Sequence, residues 1–518
     1  WVVRKKGLGL MLGIKGKKKP LAFIEDAGIP TKYLKDYIDR TLQICKKHNT
    51  EVAMYAHVSV GVIHVRPILD LRQEVDVKRL ERIAEDTFNL VMEYGGSWSG
   101  EHGDGLVRSP FNERFFGISE NLRYGAEYKD KPVDTEFLYK SEQSFQESVH
   151  MCTGVGECRK LLGGTMCPSF KATRDEEHST RGRANALRMA MSGQLDEEGL
   201  TSARLQETLS LCLSCKACKS ECPSNVDMAK SEVQQLYFDK HVPSIRDKMI
   251  RDAPKVARRF AGTLSSTINK IQSTTAFKSG LERIAGFDKR RTLPGYAKEP
   301  FYKWFHKNEI NLLKANKKVV LFADTYLNYH EPEIGKDAVK LLNDCGYEVI
   351  MANVGCCQRP KISHGFLREA KEAGQVTIQE LVKYIDQGMK VVVCEPSCAS
   401  ALNDDFPDLL PDEELAKKLK ENILMIDVFL NHEMTKGTLN IKLKAKEGKL
   451  HVHGHCHQKA LYGTQAMKHT LGKTEEFNEI PSGCCGMAGS FGYEKEHYEL
   501  SKKIGEEILF PSVRKLPE

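Results

Sequence analysis

No run of about 18 apolar residues occurs anywhere in the 518-residue chain, so no segment is long enough to cross a bilayer as a helix. The basic, apolar and small-residue regions of a signal peptide are also missing. Charge of one sign is not in excess: 77 Lys and Arg against 70 Asp and Glu leave +7 over the whole length. So mild a balance gives no case for nucleic acid, and it does not oppose contact with an anionic membrane surface. An initiating Met is lacking too. Trp1 runs directly into the strand-like Trp1-Val-Val-Arg4, and the chain is expected to be a fragment cut inside a domain. With 28% charged and 41% hydrophobic residues the composition is that of a soluble globular protein, with length for about three domains.

Cysteine, by contrast, is abundant. The 16 cysteines fall in metal-type clusters rather than in a disulfide-like pattern, which fits a reducing, cytoplasmic compartment. Cys45 and Cys345 stand apart and are expected to be small buried hydrophobes. Seven others lie between Cys152 and Cys222. Their core is Cys212-Leu-Ser-Cys215-Lys-Ala-Cys218-Lys-Ser-Glu-Cys222-Pro223, with a partial upstream copy at Cys152, Cys158 and Cys167-Pro168. This spacing wraps iron–sulfur cubanes, the cysteine before proline reaching across to the other cluster. By that rule Cys167, Cys212, Cys215 and Cys218 complete one [4Fe–4S] site, for which zinc is the alternative. Cys152, Cys158 and Cys222 supply three thiolates to a second site, which would hold a three-iron cluster, a four-iron cluster with a non-cysteine ligand, or nothing.

Periodicity divides the chain into four stretches: residues 1–145, 146–240, 241–315 and 316–518. The first mixes strand-like runs (Leu21–Ile24, Val52–Ala56, Val62–Val65) with amphipathic helices over 31–48 and 75–94, an α+β pattern. The second carries the seven cysteines and a capped helix beginning Ser179-Thr-Arg-Gly-Arg. The third, basic and polar, is expected to be a helical connector. Its basic counterpart near the N-terminus, Lys15–Lys19, is most simply a solvated loop. The last alternates strands (Lys317–Ala323, Tyr347–Ala352, Lys390–Cys394) with helices, which predicts an open parallel sheet. A second unit begins at Leu450, and the two halves look like a degenerate repeat.

Two N-terminal stretches carry chemistry. One is Tyr55-Ala-His57-Val-Ser-Val-Gly-Val-Ile-His64. On one straight strand these histidines would face opposite ways, but Gly61 permits a bend that brings them to one side. The other is Gly95-Gly-Ser-Trp-Ser-Gly100-Glu101-His102-Gly103-Asp-Gly105, a glycine-rich loop that lets backbone approach a flat cofactor closely. Each histidine alone could be structural. Two His and one carboxylate also make a divalent-metal set with open positions.

At these residues the chain resembles the C-terminal domain of FAD-linked oxidases, the family of D-lactate dehydrogenases, D-2-hydroxyglutarate dehydrogenases and glycolate oxidase. The stretch Gly96–Gly105 is similar to its Gly-Ser-x-Ser-x-Glu-His-Gly signature. The resemblance implies that His57, His64 and Glu101 bind zinc or manganese, that His102 is the general base, and that Gly100, Glu101, His102 and Gly103 lie near the flavin. The Val58–Ile63 stretch departs from the Gly-Asp-Gly-Asn that many relatives carry between the histidines. The family anchors FAD mainly in an N-terminal flavin domain, so this chain is expected to be inactive without one. Cys152 through Pro168 and the helix from Ser179 resemble fused Fe–S D-lactate dehydrogenases.

The last segment holds Cys356-Cys357, Cys394, Cys398, His453-Gly-His-Cys456-His and Gly483-Cys484-Cys485-Gly486. It resembles the cysteine-rich CCG domain of heterodisulfide reductase, glycolate oxidase and anaerobic glycerol-3-phosphate dehydrogenase subunits, which implies a non-cubane [4Fe–4S] cluster. Asp324 stands where a first cysteine is expected, three residues rather than two separate Cys394 from Cys398, and no closing cysteine pair precedes Glu518. Together these readings imply a D-2-hydroxyacid dehydrogenase. D-lactate is the favoured substrate, D-2-hydroxyglutarate or glycolate the alternative, and a quinone or cytochrome the acceptor, with peripheral contact at the inner face of the cytoplasmic membrane. A rival of another class is a non-catalytic Fe–S electron-transfer subunit, which would have no use for His57, His64, Glu101 and His102.

Overall fold

The computed structural model describes residues 9, 13–100, 103, 107–108, 111, 131–227, 230–308, 312–352, 354–439, 449–472 and 477–516. The chain is multidomain and divides into two compact units, Trp1–Val133 with Ser141–Val155, and Asp134–Lys140 with Gly156–Glu518. No helix among the described residues is long and apolar enough to cross a membrane.

The first unit is α+β. Its centre is the strand β4 (Val62–Leu69), which pairs antiparallel with β1 (Lys19–Pro20) and β2 (Ala27–Gly28), and along its length with β3 (Val52–His57). The helices Leu34–Lys47 and Glu74–Glu93 form where the 3.6-residue periodicity places them. Their buried Tyr37, Leu80 and Ile83 share a core with Ile63 and Val65 of β4. Residues 21–24 are not a strand, although Phe23 and Ile24 are fully buried. The chain touches the β3–β4 sheet only at two short pairings and arches between them, with Asp26 in the left-handed region at φ 73°. An apolar run is evidence of burial, and here the burial needs no ladder.

The second unit holds the parallel sheet, in the order β6 (Glu348–Met351), β5 (Lys318–Phe322), β7 (Lys390–Val393) and β8 (Ile423–Met425). Both faces are buried, as near-continuous Val, Ile and Leu require. Val320, Phe322, Val391 and Val393 enter one core; Val319, Leu321, Val349 and Val392 enter the other. A smaller parallel pair, β9 (Leu450–Val452) with β10 (Phe477–Glu479), follows. Residues 156–240 of this unit are built of short helices, including the expected helix at Thr180–Met191, whose Ser179 hydroxyl caps the Gly182 N–H at 2.9 Å.

One buried acid ties segment 134–140 to this unit. The Glu232 carboxylate, fully buried, accepts the backbone N–H groups of Glu136 and Phe137, both at 2.9 Å. Burial outweighs these donors and pushes its pKa up to about 7. The folded state therefore holds this proton more tightly than the unfolded chain. Stability from Glu232 is complete below about pH 4.5 and lost as pH rises to about 7, by about 3 kcal/mol. Glu232→Gln is expected to flatten that part of the pH profile of urea unfolding; an unchanged slope between pH 4.5 and 7 would refute the assignment.

Candidate functional site

The bend at Gly61 resolves the two histidines into a hairpin. β3 ends at His57, a short turn crosses Val58–Val60, and β4 begins at Val62. The register sets His57 opposite Val62, Tyr55 opposite His64 and Ala53 opposite Arg66, so all six share one face. The rings of His57 and His64 lie 5.2 Å apart at 76°, and Tyr55 stacks on His64 at 4.4 Å. His64 is 1% exposed. Arg66, also buried, pairs with the Glu25 carboxylate. The face thus presents two converging imidazoles beside a guanidinium–carboxylate pair.

Gly61 has φ 74°, and a Cβ there would meet the Ile29 carbonyl oxygen at 2.1 Å. Gly61→Ala combines left-handed strain with that clash and is expected to destabilise the first unit by at least about 2 kcal/mol, measured by urea unfolding.

The glycine-rich loop reaches this hairpin. Gly28 and Ser97 exchange backbone hydrogen bonds at 2.9 and 2.8 Å, and the Gly100 N–H donates to Asp26 O at 2.6 Å. A Cβ on Gly100 would meet Val62 Cγ2 at 2.9 Å, so the loop passes against the residue paired with His57. Glu101 and His102, the next two residues, lie outside the described residues, while Gly103 follows at φ 72°. Two nitrogen donors converging on one face, His64 buried and His57 partly exposed, suit a divalent ion.

In the second unit, Ser214 (φ 51°) and Lys216 (φ 59°) curl the loop that carries Cys212, Cys215 and Cys218. Burial first, and then the charges of Cys456, Cys218 and Cys167, push the Cys215 thiol far above its ordinary range. Burial likewise raises Cys218, followed by the charges of Asp227, Cys212 and Cys167. Opposing this is Arg183, 1% exposed, whose Nη1 donates to Cys167 Sγ at 3.4 Å, Nη2 to Ser169 Oγ at 2.9 Å and Nε to Thr208 O at 3.3 Å. Burial alone would raise the Cys167 thiol, but the Arg183 charge and the hydrogen bonds it receives hold it below its ordinary value. The four thiols predicted as one site are therefore close enough to feel one another, and no cysteine among the described residues is in a disulfide. Thiols crowded so that each disfavours its neighbour's negative charge fit a cationic cluster.

Of the three thiols predicted for a second site, Cys152 belongs to the first unit and Cys158 and Cys222 to the second; all are buried. Cys158 Sγ accepts the Arg181 N–H at 3.4 Å.

Cys356, Cys357, Cys394, Cys398, Cys456, Cys484 and Cys485 follow the carboxyl ends of the parallel strands, where open α/β sheets place ligands. They separate into two groups. Cys356 and Cys357 follow β6, and Cys357 Sγ lies 2.9 Å from Cys398 Sγ, on the helix after β7. Burial and the neighbouring Asp324 and Glu395 push Cys394 up to about 12. The other group is Cys456, after β9, with Cys484 and Cys485, after β10. Hydrogen bonding from Cys484, with His453 also donating, holds the Cys485 thiol well below its ordinary range. Asp324 is a helix cap, its Oδ1 accepting the Tyr326 N–H at 2.8 Å and the Leu327 N–H at 3.1 Å. Its burial, 1% exposed, pushes it up to about 7.

Three family models match in chain order: FAD linked oxidases, C-terminal domain, over residues 1–121; 4Fe-4S dicluster domain over 148–226; and Cysteine-rich domain over 320–403. The chain unites an FAD-linked oxidase C-terminal domain, a 4Fe-4S dicluster domain and a CCG cysteine-rich domain. It is 24% identical to a D-2-hydroxyglutarate dehydrogenase of Pantoea ananatis over 99% of this chain and 57% of that protein. It is 26% identical to a D-2-hydroxyglutarate dehydrogenase of Haemophilus influenzae over 97% of this chain and 56% of that protein. One subunit of the anaerobic glycerol-3-phosphate dehydrogenase of Escherichia coli is 27% identical over 52% of this chain and 68% of its own length. The chain thus spans little more than half the length of these hydroxyglutarate dehydrogenases. No solved structure matches it.

The dicluster domain and the cysteine-rich domain are bolted together by residues to which the motifs assign no such role. Lys216, between two cysteines of the first, pairs with Asp404 and, at 2.8 Å, with Asp405 of the second. Burial pushes His457 well below the usual imidazole range and keeps it neutral. Its Nε2–H donates to Ser214 O at 3.0 Å, and the Ser400 hydroxyl donates to its Nδ1 at 2.7 Å. Arg359 Nη2 donates in turn to Ser400 Oγ at 2.7 Å. Such pairings join positions far apart in sequence, and no local spacing signals them.

Proposed function

We propose that this chain is the substrate-binding and electron-carrying part of an FAD-linked, iron–sulfur D-2-hydroxyacid dehydrogenase acting on D-2-hydroxyglutarate. The convergence of His57 and His64 on one face carries the reading, because an electron carrier alone has no use for it. Relatives named D-2-hydroxyglutarate dehydrogenase, aligned along nearly the whole chain, favour that substrate over D-lactate.

His57 and His64, with Glu101, would hold a divalent ion, zinc or manganese. Such an ion supplies Lewis acidity to the substrate hydroxyl. His102 takes the hydroxyl proton on an imidazole nitrogen, a task suited to a group with a pKa near neutrality. Flavin, when bound, supplies the acceptor for the C2 hydride. Cys167, Cys212, Cys215 and Cys218 would hold a [4Fe–4S] cluster, which supplies a one-electron store. Arg183 offsets the negative charge of that thiolate set. Cys158 and Cys222 of the second unit are assigned to a second cluster, and the cysteine-rich domain's two thiol groups to a non-cubane one.

The test is dye reduction by the chain supplied with an FAD-binding domain. D-2-hydroxyglutarate is expected to exceed D-lactate in kcat/KM by at least about tenfold. A preference for D-lactate would reverse the substrate. No turnover of any 2-hydroxyacid, with reduction by a separate flavoprotein, would make the chain an electron-transfer subunit.

A further inference from the structure

Three adjacent strands of the parallel sheet deliver one carboxylate and four thiols to the same end. Asp324 follows β5, Cys356 and Cys357 follow β6, and Cys394 and Cys398 follow β7. The Thr325 hydroxyl, next to Asp324 in sequence, donates to the Cys356 thiol. Cys357 Sγ lies 2.9 Å from Cys398 Sγ. After burial, the Asp324 charge is the largest influence on Cys394, and it reaches Cys398 as well. The carboxylate therefore stands among the thiols.

Helix capping does not account for an acid at this place. Capping uses Oδ1, which accepts the Tyr326 and Leu327 N–H groups. Oδ2 is buried too, and among the described residues none donates a hydrogen bond to it. Asn or Ser caps a helix as well as Asp does, without taking a charge out of water. A buried carboxylate is costly unless it is paired or coordinates a metal. Glu395, the other acid at these thiols, differs on both counts. Its side chain is 32% exposed, and its Oε1 accepts the Ser397 N–H at 3.1 Å and the Ser397 hydroxyl at 2.7 Å. The two bonds to the Asp324 Oδ1 hold that carboxylate in place, with Oδ2 left to meet a cation.

We propose that Asp324 is a metal ligand, its Oδ2 binding iron alongside the thiolates that follow β6 and β7. The inference rests on the iron–sulfur reading of the cysteine-rich domain and deepens it, because the group then takes a mixed oxygen and sulfur donor set. Carboxylate oxygen and thiolate sulfur both serve as ligands to iron and zinc. Asp324 carries the same single negative charge as the thiolate expected at its position. The charge of the set is therefore kept, while one soft donor becomes a hard one.

The test compares Asp324→Asn, Asp324→Ser and Cys398→Ser in the whole chain. Iron, zinc and sulfide content per chain and low-temperature EPR are the readouts. Asn and Ser both cap, so the helix after β5 is kept and the anionic oxygen alone is removed. Both Asp324 variants are expected to lose the metal that Cys398→Ser loses, and the same EPR signal with it. The signal of the four-cysteine site, retained, shows that each variant is folded; if one Asp324 variant loses that signal too, the other decides. Full metal content and an unchanged spectrum in both Asp324 variants, beside a depleted Cys398→Ser, would overturn the ligand and leave the iron–sulfur reading standing. No depletion in Cys398→Ser either would sink that reading and the ligand together. Zinc in place of iron, lost alike from the Asp324 and Cys398 variants, would sink the cluster and keep Asp324 as a ligand.

Discussion

Arg183→Met is expected to empty the four-cysteine site of iron. The guanidinium is among the largest fully buried side chains of the protein, and it feels the charges of Cys167, Cys212 and Cys215. Methionine preserves the aliphatic stem and removes the charge. Cys167, which is kept below its ordinary pKa against the pull of burial, would then lose that support and hold its proton more tightly. Breaking a buried pair from one side costs about 3–5 kcal/mol, because the partner is left without compensation. The expected result is loss of the iron and sulfide of that site, loss of its EPR signal after dithionite, and an earlier urea midpoint for the second unit. Arg183→Lys keeps the charge but not the fork that spans Cys167, Ser169 and Thr208, and should fall between. Full iron content in Arg183→Met would refute the role.

His64→Ala is expected to abolish hydroxyacid oxidation through loss of the divalent ion. Lewis-acid stabilisation is worth several kcal/mol, so kcat/KM should fall on the order of a thousandfold. Zinc and manganese content should fall with it, while the iron–sulfur EPR signals, from another part of the chain, stay intact. His57→Ala should act in the same direction. His469→Ala, at an exposed histidine hydrogen-bonded to Asn431, should change neither activity nor metal content. Retention of both in His64→Ala would remove this histidine from the site. His102→Ala offers a contrast: as a base rather than a ligand, it should lose turnover and keep the metal.

Much of this was legible in the sequence. The strands β5, β6 and β7 announce themselves because a sheet buried on both faces admits little but Val, Ile, Leu and Phe. The pairing of His57 with His64 was legible through Gly61, since a residue that accepts positive φ marks where a strand can fold back. The closeness of Cys212, Cys215 and Cys218 was legible because all three lie on one tight loop. Other features were not. The Leu21–Ile24 run has the composition of a strand and packs as an arch. The cysteines after residue 350 form two groups, at the ends of two different sheets, and only the tertiary structure assigns each to its group. Arg183 sits in a helix of three arginines in twelve residues, a composition that ordinarily means a wet surface. Its burial follows from thiols that sequence spacing does not bring near it.

The hydrogen bond between Ser214 and His457 spans 243 residues. At about 5–20 residues per second, a ribosome delivers the cysteine loop roughly 12–50 s before the imidazole that covers it. During that interval Cys212, Cys215 and Cys218 are within reach of whatever machinery hands over iron and sulfide. Once the C-terminal residues arrive, the same contact closes the loop. The order of synthesis thus acts as a loading window.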